Sequence, residues 1–463
     1  MPTLAWNNGD LLADVQGLLK AASYELVGGA GADVTVDRVS LTVTSDGATS
    51  SFGTAEELVA FLLSPEMLGG GAPSAAPPLD AFEGCLVGIA LGDAVGLSVE
   101  GNNAEVGTEY VGKLEADLGA VGLSWDQSPW QIAHRERIEA KGKEFINPRP
   151  YPLGQISDDT QCASELALSI VAKGRFDVAD YAARLAEIHG DTQRVFDTMG
   201  IVDATGIVGQ GPTSKHSLDR INEGHSWMIA PRGTKGTSNG SVMRVGPLGL
   251  LHAHQPGSAI AWADGCLSSV ITHTQPMCIE AAAALSTVVS VAAACSGVAG
   301  DDEVRQRSIA ALGAAEHLID WAGMLSAMLD ASSVPDAQRI MREACTAPDP
   351  AGAIFAAETA AWAIYAFLKT PSDFWRTIFA CIEVGGDTDT VAACAGGPAG
   401  AFIGLEAITS SRPDAPAMLG LLKDATQPGK LDLGGLQALA RQLHDAVGVT
   451  VEAEAEVAEV ARL

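Results

Sequence analysis

From about residue 160 onward the chain is built of long Ala- and Gly-rich apolar runs broken by single polar positions. Runs of this kind predict closely packed helices, because small side chains let helix axes approach. Cys162 to Val171, Ala179 to His189 and Leu436 to Val447 each read as one helix, and further helices are predicted through about residue 368. Earlier, AFEGCLVGIALGDAVGLSVEG over residues 81–101 places Gly84, Gly88 and Gly92 at intervals of four. That spacing leaves one face of a helix bare for close packing.

The first 66 residues follow another pattern. Leu11, Leu12, Val15, Leu18 and Leu19 share a helical face, Val34/Val36 and Val39/Leu41/Val43 alternate as strands do, and Asp46-Gly47 signals a turn. Thr54 with Glu57 forms a capping box ahead of another apolar helix. The expected organisation is a small α/β unit at 1–66 and a flexible linker at 67–79 containing GGGAPSAAPP. A larger, mainly helical domain at 80–450 and an acidic tail at 451–463 follow.

Charge narrows the partners. With 28 Lys and Arg against 57 Asp and Glu, the net charge is −29. Non-specific nucleic-acid binding needs the opposite sign. An anionic ligand would need bound cations or helix N-termini to offset the local field. The one basic concentration, His134 to Lys143, reads as a solvated helix face or a contact for an acidic target. The eight cysteines show no CxxC or Cys/His spacing, so buried free thiols and a cytoplasmic location are expected. No membrane association is expected: the best apolar run, Ala281 to Cys295, is short, Ala-rich and preceded by Glu280.

The chemistry concentrates in two stretches. GGDTDTVAACAGGPAG over 385–400 sets Asp387 and Asp389 two apart, with Thr388 and Thr390 interleaved and two glycines before them. Ser157-Asp158-Asp159-Thr160-Gln161 likewise precedes an apolar run. Aspartate at a helix start can simply cap free N–H groups. Clustered oxygens on a bent backbone also suit Mg²⁺ or Mn²⁺, and four converging carboxylates would repel without cations. GTKGTSNGSVMRVG over 233–246 has the glycines and small hydroxyls of a phosphate-cradling loop but no Walker ending. Arg244 reads there as a partner for a buried acid or, less readily, as a phosphate ligand, and Thr272-His273-Thr274-Gln275-Pro276 opens another helix.

The two diacid motifs, the GDAVG segment followed by Glu100, the SNGSVMR segment and THTQP together resemble the ADP-ribosylglycohydrolase family over about residues 81–445. Ser238 departs from the family's glycine, Ser157 stands for a common Thr, and Gln275 for a second His. The resemblance implies an all-α catalytic domain holding two Mg²⁺ or Mn²⁺ ions, preceded here by the small α/β unit. By the same resemblance Ser157, Asp158, Asp159, Asp387, Asp389 and Thr390 are the metal ligands, and Glu100, Asp159 and Asp389 carry the chemistry. Ser238, Asn239, Gly240, Ser241, Met243 and His273 would bind ADP-ribose. The implied activity is hydrolysis of an ADP-ribosylated protein, at arginine first and at serine or a small derivative as the alternative. Some members are immunity proteins against ADP-ribosylating toxins, so the extra N-terminal unit could hold such a toxin.

Overall fold

In the computed structural model the described residues are 34–37, 42–45, 48–51, 76–120, 152–191, 205–232, 235–314, 318–345 and 355–460. Three short strands, β1 (Val34–Asp37), β2 (Thr42–Ser45) and β3 (Ala48–Ser51), form an antiparallel sheet in that order. Val36 pairs with Val43 and Ser45 with Ala48 in the register, and the expected Asp46-Gly47 turn between them lies outside the described residues. The two helices expected within 1–66, the strand positions Val39 and Leu41, most of the linker and the basic segment 134–143 lie outside the described residues.

The remainder is helical. Helices α1 (Leu79–Gly96) and α2 (Ala104–Ala116) come first, then α3 (Asp158–Lys173), α4 (Val178–Gly190) and α5 (Pro212–Asn222). A central group follows: α6 (Gly246–Leu251), α7 (Ala259–Val270), α8 (Pro276–Cys295), α9 (Asp301–Leu312), α10 (Trp321–Leu329) and α11 (Val334–Cys345). The chain closes with α12 (Ala356–Lys369), α13 (Phe374–Ile382), α14 (Thr388–Ser410), α15 (Ala415–Leu419) and α16 (Leu433–Val460). The last helix runs past the expected end at Val447 and takes in most of the acidic tail. After Gly448 the tail is rich in Ala and Glu, both good helix formers, with no Pro or Gly to stop it.

Helices α1 and α14 are the centre of the molecule and cross backbone to backbone. A Cβ added at Gly84, Gly88, Gly92 or Gly96 would collide with the carbonyls of Gly400, Gly396, Ala392 or Thr388 respectively. The paired numbers run in opposite directions, so the helices are antiparallel. Larger side chains on either face would force the axes apart. This approach carries Asp93, on α1 and wholly buried, to the point where α3 and α14 begin.

Among the described residues three segments are long and apolar enough to cross a membrane: Leu79–Val99, Pro276–Cys295 and Thr388–Ser410. In this fold 94%, 94% and 83% of their apolar windows are buried against other helices. The sequence reading had picked out only part of the second. All eight cysteines are buried and free, as expected.

Candidate active site

Two helix N-termini face each other. Ser157 caps α3, its Oγ accepting from the Asp159 N–H at 3.3 Å and donating to Asp159 Oδ2 at 2.9 Å. Asp387 occupies the position before α14. Gly385 and Gly386 deliver the chain there with φ of 73° and 80°, in the region that favours glycine. A Cβ at Gly385 would strike the backbone of Asn102 to Ala104. Two hydrogen bonds tie these loops: Gly101 N–H to Gly386 O and Gly386 N–H to Asn102 O, both 2.7 Å. They hold Glu100, at the end of a short 3₁₀ turn (Leu97–Val99), over the start of α14.

The carboxylates converge. Oxygens of Asp93, Asp159 and Asp389 lie within 4.8 Å of one another, as do those of Glu100, Asp387 and Asp389. Thr390 Oγ1 donates to Asp159 Oδ2 at 3.4 Å, joining the two motifs directly. Asp159 Oδ1 and Asp389 Oδ1 are buried with no hydrogen-bond partner. Burial first, then the neighbouring carboxylates, pushes Asp158 up to about 8 and holds Glu100, Asp159 and Asp389 well above the usual carboxylate range. Asp93 rises to about 6 because burial outweighs its hydrogen bonds. Orphaned buried oxygens within a crowd of acids are the donor set a hard divalent cation needs.

Asp93 falls in the GDAVG segment that carries part of the family resemblance, but its sequence context alone gives it no role. It accepts from Ser157 N–H at 3.0 and 2.9 Å, from Thr160 N–H at 3.2 Å and from Thr160 Oγ1 at 2.6 Å. It therefore satisfies the first N–H groups of α3 from outside and fixes the diacid motif on α1. Its signal was an acid in the last turns of an apolar, glycine-faced helix, well past Asp80 and Glu83 in the first turns. Gln161 was also missed. Its Oε1 accepts from Val208 N–H at 2.9 Å and its Nε2 donates to Asp424 Oδ2 at 2.8 Å. That brings the 206–211 loop beside Asp158, where a Cβ on Gly209 would lie 3.1 Å from Oδ1.

The glycine-rich loop borders this cluster. Asn239 Nδ2 donates to Asp387 Oδ2 at 2.8 Å and to Thr359 Oγ1 at 3.1 Å, so it holds a carboxylate in place. Ser238 and Gly240 are partly exposed, whereas Ser241 and Met243 are buried and Met243 belongs to the hydrophobic core. His273 is wholly buried behind the loop, with Nε2 3.0 Å from Ser238 Oγ and Nδ1 2.8 Å from Thr272 Oγ1. Burial and then Arg244 drive its pKa down to about 3, so the ring is neutral. Arg244 is buried too. Its Nη2 donates to Ser268 O at 2.8 Å and Thr272 Oγ1 at 3.0 Å, and its guanidinium lies 5.6 Å from the Tyr181 ring centre. Among the described residues it forms no ion pair, so the expected acid partner is replaced by a carbonyl, a hydroxyl and a ring.

The fold and site thus define a helical protein with a buried acidic centre, suited to cations, set beside a glycine-rich loop. The sequence model of ADP-ribosylglycohydrolase matches residues 74–450. The chain belongs to the ADP-ribosylglycohydrolase family. It is 28% identical over 376 residues to ADP-ribosylhydrolase ARH3 of Bos taurus, covering 74% of this chain and 90% of that protein. It is 25% identical over 334 residues to the ADP-ribosyl-[dinitrogen reductase] glycohydrolase of Rhodospirillum rubrum, covering 72% and 88%. A shorter match, 26% over 201 residues and 42% of each chain, is to ADP-ribosylarginine hydrolase Tri1 of Pseudomonas putida. Among solved structures, an ADP-ribosylglycohydrolase-related protein complex shares the fold, with TM-score 0.50 and 22% identity, covering 80% of this chain and 98% of that one.

Proposed function

We propose that the protein is a metal-dependent hydrolase that releases ADP-ribose from modified protein side chains, with arginine as the modified residue. The observation that carries this reading is the meeting of the two diacid helix starts, with one buried oxygen of Asp159 and one of Asp389 left without a partner. Two Mg²⁺ or Mn²⁺ ions would be held by Ser157, Asp158 and Asp159 from α3 and by Asp387, Asp389 and Thr390 from α14. Ions bound there supply a Lewis-acidic anchor for a ribose diol and a water more acidic than bulk water.

The chain's own groups do the rest. Cleavage at the anomeric carbon builds positive charge on the sugar, and the crowd of carboxylates offsets it. Asp159 and Asp389 are placed to take a proton from the attacking water. Glu100, on the clamped loop across the cluster, orients the substrate or moves a proton at its own carboxyl. Asn239 fixes Asp387, and the exposed part of the loop at Ser238 and Gly240 receives the diphosphate. A protonated ADP-ribosyl guanidinium leaves as neutral guanidine and needs no acid from the protein, which suits a site made almost wholly of acids.

The test is Asp159→Asn and Asp389→Ala, with folding checked by circular dichroism. Each is expected to lower ADP-ribose release by at least about a hundredfold, the usual worth of a lost proton-transfer or electrostatic group. Near-normal release from either folded variant contradicts the assignment.

A further inference from the structure

Ser238 stands where the family resemblance leads one to expect glycine, so its hydroxyl is a feature of this chain. It sits on the glycine-rich loop, partly exposed, with its backbone bridged to Phe355 and its Oγ 3.0 Å from His273 Nε2. We propose that Ser238 is a fixed hydrogen-bond donor to a phosphoryl oxygen of the ligand, its direction set by a relay through Arg244, Thr272 and His273. This rests on the ADP-ribose reading above and specifies how that ligand's diphosphate is held.

The positions of the protons fix this direction. Arg244 has only donors, so Thr272 Oγ1 must accept from its Nη2, at 3.0 Å. Thr272 is wholly buried, and its own hydrogen finds an acceptor at His273 Nδ1, 2.8 Å away. Nδ1 is then the unprotonated nitrogen, and the ring's single hydrogen is on Nε2. Nε2–H donates to Ser238 Oγ. The serine's oxygen is occupied on that side, and its own hydrogen is free to point away from the ring into the loop's open side.

The two other protonation states fail on the same grounds. With the hydrogen on Nδ1, the Thr272 hydroxyl hydrogen would be buried without an acceptor, and Ser238 would spend its hydrogen on His273 and present only lone pairs. With both nitrogens protonated, Thr272 would again have nowhere to donate. A cation there would also lie buried near Arg244, which is why the ring stays neutral. Buried residues at every earlier step keep the direction from reversing: Arg244 is 1% exposed, and Thr272 and His273 are both 0%.

An obligate donor on a loop of glycines and small hydroxyls matches a ligand group that only accepts, and phosphoryl oxygens do so. His273 is accordingly a positioning residue. It acts on the ligand through Ser238.

The experiment is calorimetric titration of the full chain, loaded with Mg²⁺ or Mn²⁺, with ADP-ribose. It is paired with ¹⁵N spectra of the His273 ring, assigned through His273→Gln. Ser238→Ala is expected to bind about ten- to a hundredfold more weakly, the worth of one hydrogen bond to a charged group. Ser238→Thr should recover most of that loss, which a folding defect would not do. The ring should show an unprotonated Nδ1 and a protonated Nε2. Ser238→Ala binding like the parent, or a proton found on Nδ1, overturns the relay and leaves the functional reading standing. Failure of the parent protein to bind ADP-ribose overturns that reading, and the inference with it.

Discussion

Asp93 and Asp158 carry ordinary carboxyl groups in surroundings that penalise their charge. Their pKa values rise to about 6 and about 8 in the folded protein. A carboxyl whose folded pKa is raised favours folding while it is protonated. That contribution is complete below about pH 4, the unfolded value, and is lost as pH rises through 6 and then 8. With chelator present, the melting temperature should therefore fall between pH 5 and pH 8, and less steeply in Asp158→Asn. Added Mg²⁺ or Mn²⁺ should raise it more at pH 8 than at pH 5. Thermal melts at the two pH values check this, and a chelated protein as stable at pH 8 as at pH 5 contradicts it. Asp93→Asn should cost about 1–3 kcal/mol in denaturant unfolding, because an amide cannot accept from all the Ser157 and Thr160 donors. At this scale the sequence was informative about the motif acids, since paired Asp and hydroxyls stand out at a helix start. It was poor on Asp93, Gln161 and Thr359. Their roles come from partners 64 or more positions away for Asp93 and 120 away for Thr359, and spacing along a chain carries no trace of that.

The site exists because α1 and α14 touch. From Gly84 to Gly96 every fourth residue of α1 is glycine, and each meets a backbone carbonyl of α14. Gly92→Leu should destabilise the protein by more than about 3 kcal/mol, since the clash is with backbone and cannot be relieved by a rotamer change. It should also weaken cation binding, because Asp93 is the next residue. Gly112 on α2 is the control. Nothing lies within 4 Å of a Cβ there, so Gly112→Ala should stabilise by about 0.5–1 kcal/mol. Denaturant titrations of the two variants separate these outcomes, and equal effects would contradict the close-packing account. The bare face of α1 was legible from its spacing, but its partner was not. A four-residue repeat reveals that a helix will be approached and not by what. The same limit applied to α16: its apolar stripe was visible, while its continuation to Val460 depended on the absence of a breaker rather than on any pattern.

For the whole molecule, a net charge of −29 surrounds a centre that is itself acidic. Such a protein attracts divalent cations and repels a diphosphate until they are bound. The account therefore predicts an order: ADP-ribose affinity should depend steeply on Mg²⁺ or Mn²⁺, and in chelator it should be lower by tenfold or more, with added NaCl recovering only part by screening. The helical body was readable from composition, and the three membrane-length segments among the described residues are buried by their neighbours. The most direct test is release of ADP-ribose from arginine-modified and serine-modified proteins, with Mg²⁺, with Mn²⁺ and with chelator. The account predicts metal-dependent release from the arginine-modified protein and none in chelator. Undiminished release in chelator, or release from the serine-modified protein alone, would contradict it.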